Sequence, residues 1–188
     1  MERGHIHPIS SLVREANRIF YGMGFAFEEG PLLEDEWHNF DSLNVPKDHP
    51  ARDMQDTFFI KDKPGYVLRT HTSPVQVRYM ETQMKKNILP PYRVIVPGKV
   101  FRNEATDVTH EAEFYQIEGL AVGEDVTLAN LKGTLARFFK ELFKGANVEI
   151  RFRPSFFPFT EPSVEVDMKV MGEHVPEKLR DKWIEMMG

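Results

Sequence analysis

The sequence contains no cysteine. Disulfides, thiolate metal sites and thiol nucleophiles are therefore excluded. It has no apolar run of membrane-spanning length, and its opening stretch, MERGHIHPIS, has no apolar signal region. A soluble, cytoplasmic protein with no membrane contact is expected. Basic charge is also scarce. Lys and Arg number 24 against 29 Asp and Glu, a net charge of −5, which disfavours a broad basic surface for nucleic acid. Internal repeats, low-complexity tracts and obvious linkers are missing too. The two histidines of GHIHP have no partner cluster that suggests a metal site.

What is present suits one globular domain. A chain of 188 residues can bury roughly 70% of its unfolded surface. Phenylalanine is abundant, 15 residues, and some of these rings are expected to do more than fill a core. Apolar residues at Leu12, Val13, Ala16, Ile19, Phe20 and Met23 predict a helix from Ser10 to Met23, closed by Gly24. FAFEEGP reads as a short strand, and residues 34–43 as a helix. DTFFI and YVLRT read as strands around the turn KDKPG. Ser73, Pro74 and Gln76 form a capping-box pattern for a helix reaching Asn87. YRVIVPGKVFRNE predicts strand, kink, strand, with EFYQIEGLAV as its antiparallel partner. A second amphipathic helix carries Leu128, Leu131, Leu135, Phe138, Phe139, Leu142 and Phe143 and ends at Gly145. NVEIRFR and the end of SFFPFTEPSVEVDMKV are strands, and a helix is expected to start at Pro176. The fold class is α+β, an antiparallel β-sheet flanked by helices.

Alternation along the paired strands sorts their faces. Phe101, Tyr115 and Ile117 are expected to meet the helices. The opposite face gathers Arg102, Glu104, Phe114, Gln116 and Glu118. A solvated sheet face would explain charge there, but an arginine fork, an aromatic ring, an amide and two carboxylates together also suit a phosphate or carboxylate and a flat group. The loop ATDVTHEA, holding His110, is long for a hairpin.

FRNE followed by F.QIEG resembles motif 2 of the class II aminoacyl-tRNA synthetases. HPARDMQDTF, LRTHTSPVQVRYM, GKVFRNEATDVTHEAEFYQIEGL and RFRPSFFPFTEPSVEVD narrow the resemblance to the α subunits of phenylalanyl-tRNA synthetases, over nearly the whole chain. The resemblance implies ATP-dependent activation of phenylalanine and transfer to tRNA(Phe), with Mg2+ accompanying ATP, its ligands open and Glu118 a candidate. It implies a β subunit in an α2β2 assembly. Gly24 to Pro31 corresponds to motif 1, a segment of subunit interfaces. Arg102 is expected to bind the α-phosphate and the amino-acid carboxylate, Phe114 to stack under adenine and His110 to meet the outer phosphates. Glu104, Gln116 and Ser73 surround the α-amino group, with His71 close by and Glu118 at the floor. Phe157 and Phe159 form walls for the phenyl ring.

Plainer readings stand beside these. Ser73 is explained as a helix cap, His71 as a loop histidine bonded to backbone, and Phe157 and Phe159 as core. A Gly-rich third motif and an N-terminal tRNA-binding arm are not recognisable in residues 1–188, so a partial catalytic domain is expected. Weak or no aminoacylation by this chain alone follows. Two alternatives remain: a non-catalytic fragment or paralogue that binds an amino acid or partner, and a class II ligase for another amino acid.

Overall fold

The computed structural model describes residues 4–53, 56–103, 111–157, 160–172 and 175–188. In chain order the elements are α1 (Pro8–Tyr21), β1 (Ala26–Phe27), β2 (Leu33–Asp35), α2 (Glu36–Asn39), β3 (Tyr66–Leu68), α3 (Ser73–Lys85), β4 (Tyr92–Phe101), β5 (Glu113–Val122), α4 (Leu128–Leu142), β6 (Asn147–Phe157), β7 (Thr160–Met171) and β8 (Trp183–Met187). They form two compact units. The middle unit is residues 25–124, and the flanking unit combines residues 1–24 with 125–188. The class is α+β, as the residue pattern implies. No helix among the described residues is long and apolar enough to cross a membrane.

In the flanking unit, the apolar stripe of α1 buries Ala16, Ile19 and Phe20, and α4 buries Leu135, Phe138 and Phe139. Phe20 and Phe138 stack with centroids 4.7 Å apart. Burying each such ring stabilises the unit by about 1.5–3 kcal/mol. Thr127 and Asn130 close a capping box at the start of α4, which satisfies donors that the first turn leaves open. The sheet runs β6–β7–β8, all antiparallel. Its β8 corrects an expectation. The helix predicted from Pro176 is a turn ending in Asp181 at φ 59, followed by a strand. Trp183 and Ile184 pair with Lys169 and Met168 of β7, so tertiary pairing overrides a weak local helix signal. Arg151 and Lys169 hold their cationic groups over the Trp183 ring, at 4.4 and 4.9 Å.

In the middle unit β4 is flanked by β1 in parallel and by β5 in antiparallel register, while β2 and β3 form a separate antiparallel pair. One continuous antiparallel sheet was expected; the described strands make three sheets with one parallel pair. The kink expected at Pro97 is also absent. Ten consecutive pairs, Tyr92↔Val122 through Phe101↔Glu113, run without a register shift. The outer edge of β4 explains this. Ile95 O accepts from Glu28 N, Lys99 O accepts from Arg69 Nε, and Phe101 N donates to Arg69 O. The odd-numbered residues thus turn their main-chain groups away from β5. Pro97 is one of them, and its missing N–H removes no bond to β5.

Residues 34–43 divide rather than forming one helix. Glu34 pairs with Val67 inside β2–β3, and Asp35 caps α2 through His38 N at 2.8 Å. Phe40, at φ −137, breaks the helix and enters a core cluster with Val45 and Val67. A 3-10 turn over Asp41–Leu43 follows. DTFFI is not a full strand; Phe59 makes an isolated bridge to Val67.

Candidate functional site

The β4–β5 register aligns Val94 with Leu120, Val96 with Glu118, Gly98 with Gln116, and Val100 with Phe114. This face is apolar at one end, where Val75 and Tyr79 of α3 pack on Val94, Val96 and Leu120. It becomes polar at Glu118 and Gln116 and ends at Phe114. Helix α3 therefore covers the polar face, opposite to expectation. Tyr115, assigned above to the helix side, is 49% exposed. The approach of α3 depends on Gly30: a Cβ there would lie 2.4 Å from Val75 Cγ2.

Glu118 organises the polar end. Its Oε1 accepts from Thr72 N at 2.9 Å. Its Oε2 accepts from the Ser73 hydroxyl and from Gln76 Nε2 at 2.9 Å. The capping box read from Ser73 and Gln76 does not form. The N-cap of α3 is Thr72, which makes no side-chain cap bond, because both side chains are committed to the carboxylate across the sheet. A charged acceptor outcompetes a neutral cap. With its proton directed at Glu118, Ser73 Oγ keeps lone pairs for another donor. Gln116 Oε1 is buried without a hydrogen-bond partner, a second acceptor on the same face. Oε1 takes a single donor and so keeps a lone pair open.

Arg102 follows β4. Its backbone N donates to Ala112 O at 3.0 Å, extending the hairpin. Its guanidinium lies 5.1 Å from the Phe114 ring centroid, and Nε donates to Thr70 O at 3.3 Å. Thr70 is held in turn by Asn39, a buried residue. Thr70 N donates to Asn39 Oδ1 at 3.2 Å, and Asn39 Nδ2 donates to Thr70 Oγ1 at 3.1 Å. His71 Nε2 lies 2.9 Å from Asn39 O. A carbonyl only accepts, so the proton sits on Nε2 and Nδ1 is left as acceptor. Burial pushes the His71 pKa below its ordinary value; Glu118 opposes this, and Arg102 and Arg69 reinforce it. The imidazole is therefore neutral near pH 7.

Among the predicted site residues, the middle unit brings together His71, Ser73, Arg102, Phe114, Gln116 and Glu118. Phe157 lies at the end of β6 in the flanking unit, half-buried, while Phe156 is 77% exposed. Glu104, His110 and Phe159 lie outside the described residues. Thr72, Gln76, Asn39 and Arg69 were not singled out for the site. Gln76 was visible but absorbed by the capping pattern, Arg69 and Thr72 lie inside LRTHTSPVQVRYM without an assigned role, and Asn39 carries no motif signal. A cluster of Glu34, Asp35 and His38 also gathers possible metal ligands within 4.8 Å. Arg78 already supplies positive charge there, bonded to both Glu34 oxygens and 3.3 Å from Asp35 Oδ2.

The sequence profile described as tRNA synthetases class II core domain (F) matches residues 1–188. The chain belongs to that family. Among curated relatives, the phenylalanine–tRNA ligase alpha subunit of Syntrophobacter fumaroxidans is 52% identical over 189 residues, covering 99% of this chain and 54% of the relative. The same-named protein of Syntrophomonas wolfei subsp. wolfei is 50% identical over 190 residues, covering 100% and 54%. The chain thus spans about half the length of the curated relatives it matches. The pyrrolysyl tRNA synthetase PylSc of Desulfitobacterium hafniense superposes with a TM-score of 0.63 at 17% identity, over 86% of this chain and 52% of that one. That likeness is one of fold.

Proposed function

We propose that this class II core activates phenylalanine with ATP and, as part of a phenylalanyl-tRNA synthetase α subunit, passes it to tRNA(Phe) in the cytoplasm with a β subunit in an α2β2 assembly. The observation that carries the reading is a single sheet face. On it the Arg102 guanidinium over Phe114 adjoins an acceptor cluster of Ser73, Gln116 and Glu118. The names borne by the two relatives at about half identity support phenylalanine over another amino acid. They also count against a non-catalytic paralogue.

The chemistry needs positioning more than proton transfer. The amino-acid carboxylate attacks the α-phosphorus, an O–P bond forms, and pyrophosphate leaves with its electron pair. Two anions must meet, and Arg102 between them offsets the charge that builds at phosphorus. Phe114 offers a face for adenine. The ammonium requires acceptors. Ser73 Oγ, Gln116 Oε1 and neutral His71 Nδ1 supply them, with Glu118 behind as the anion that orients Ser73. The family resemblance assigns roles to four further residues, Glu104 toward the ammonium, His110 toward the outer phosphates, and Phe157 and Phe159 toward the phenyl ring. Mg2+ would accompany ATP and neutralise its phosphates, with Glu118 a candidate ligand.

Thermal melting of the chain against single amino acids tests the reading. A ligand at a hundred times its Kd stabilises by about 2.7 kcal/mol. Phenylalanine should raise Tm, and Glu118→Gln should remove the rise. An equal or larger rise with phosphoserine or tyrosine would overturn the specificity.

A further inference from the structure

We infer that Arg69 is a positioning residue for Arg102: its guanidinium fork takes over the outer edge of β4 beyond the end of β1 and fixes the strand terminus from which Arg102 projects. The inference rests on the activation chemistry proposed above.

Arg69 is 3% exposed, an unusual burial for a cation that bonds directly to no carboxylate among the described residues. Its donors go to main chain instead. Nε donates to Lys99 O at 2.8 Å and Nη1 to Gly30 O at 3.3 Å. Its own backbone adds two bonds, N to Leu32 O and Phe101 N to its carbonyl, each 2.9 Å. One residue therefore joins the segment before β2, the end of β3 and the last turn of β4's edge. Strand β1 pairs with β4 only at Val94 and Ile95. Without the Arg69 side chain, Lys99 O and Gly30 O would lose their partners, the main-chain bond from Phe101 N to Arg69 O would lose the fork that anchors it, and an edge so weakened frays. The next residue, Thr70, receives Arg102 Nε, so residues 69 and 70 grip the strand end and the arginine side chain in sequence.

The fork requires space that only glycine provides. A Cβ on Gly98 would lie 2.1 Å from Arg69 Nη2 and 3.5 Å from Thr72 Cγ2. Burial works against the charge of Arg69, and Glu34, Glu118 and Glu29 offset that cost through their fields. Lysine would keep the charge but cannot span two carbonyls with a planar fork.

The experiment uses this chain labelled uniformly with 15N. It follows exchange of the Arg102 Nε–H and Phe101 amide by NMR, and affinity for a non-hydrolysable phenylalanyl-adenylate analogue by calorimetry. The variants are Arg69→Gln, Arg69→Lys and Gly98→Ala; the last displaces the fork while leaving the arginine in place. All three should speed exchange at Phe101 and Arg102 Nε–H by about tenfold or more and weaken the analogue by about tenfold or more, with α3 amides unchanged. Exchange and affinity that stay at wild-type values would overturn the inference. So would acceleration spread equally over α3, which marks a merely structural role. If the wild-type chain binds no analogue while exchange still responds at Arg102, the positioning stands and the functional reading falls.

Discussion

Replacing His71 by glutamine should flatten the acid side of the middle unit's stability profile. The neutral ring is favoured in the folded state because burial lowers its pKa from 6.5, with Arg102 and Arg69 adding to the shift against Glu118 and the hydrogen bond to Asn39 O. In the unfolded chain the imidazole titrates near 6.5. Between that value and the lower folded one, the unfolded state binds more protons, so stability rises with pH through the window and is lost as pH falls. If the folded ring stays neutral to pH 5.5, the loss from pH 7.5 to 5.5 is about 1.4 kcal/mol. Trp37 lies in the middle unit and Trp183 in the flanking unit. Urea unfolding followed by Trp37 fluorescence in a Trp183→Phe background therefore reports the relevant unit. The stability difference between wild type and His71→Gln should change by up to about 1.4 kcal/mol across this range. A difference independent of pH would refute the assignment of His71 as a neutral, buried ring.

Other outcomes follow from particular contacts. Ser73→Ala removes a hydrogen bond to a carboxylate, and should lower stability by about 1.5–3 kcal/mol in urea melts and weaken phenylalanine binding; a change in stability alone would restrict Ser73 to structure. Gly30→Ala forces a carbon to 2.4 Å from Val75 Cγ2 and should cost about 1–3 kcal/mol, recovered in part by Val75→Ala in the same chain. In the flanking unit, Arg153 and Arg151 hold the Asp167 pKa down to about 2, from 3.8. Its contribution is present above pH 4 and lost as pH falls toward 2, so Trp183 fluorescence should change in that window and Asp167→Asn should abolish the change.

Long periodic segments were legible. α1 and α4 occupy the predicted stretches, and β4 and β5 pair as the alternation implied, because burial periodicity is written into each segment. The parallel β1–β4 pair was not legible, since two residues carry no period. Strand β8 looked helical because its pairing partner lies outside the local window. Six of the residues singled out from the sequence lie together in the middle unit, but their wiring was misread. Which face of β5 meets α3 depends on Gly30 and Val75, distant in sequence. Ser73 and Gln76 matched a capping box by spacing alone, whereas the structure gives both to Glu118. Arg69 lies inside a motif the sequence displays, but its role was not legible, because that role depends on where β1 stops.

The central claim is that one sheet face holds the reacting ends of phenylalanine and ATP. Calorimetric titration of this chain with the phenylalanyl-adenylate analogue, beside Arg102→Ala, tests it most directly. Saturable binding that Arg102→Ala abolishes is the predicted result. Binding that survives the substitution unchanged, or no binding by the folded wild-type chain, would contradict the account.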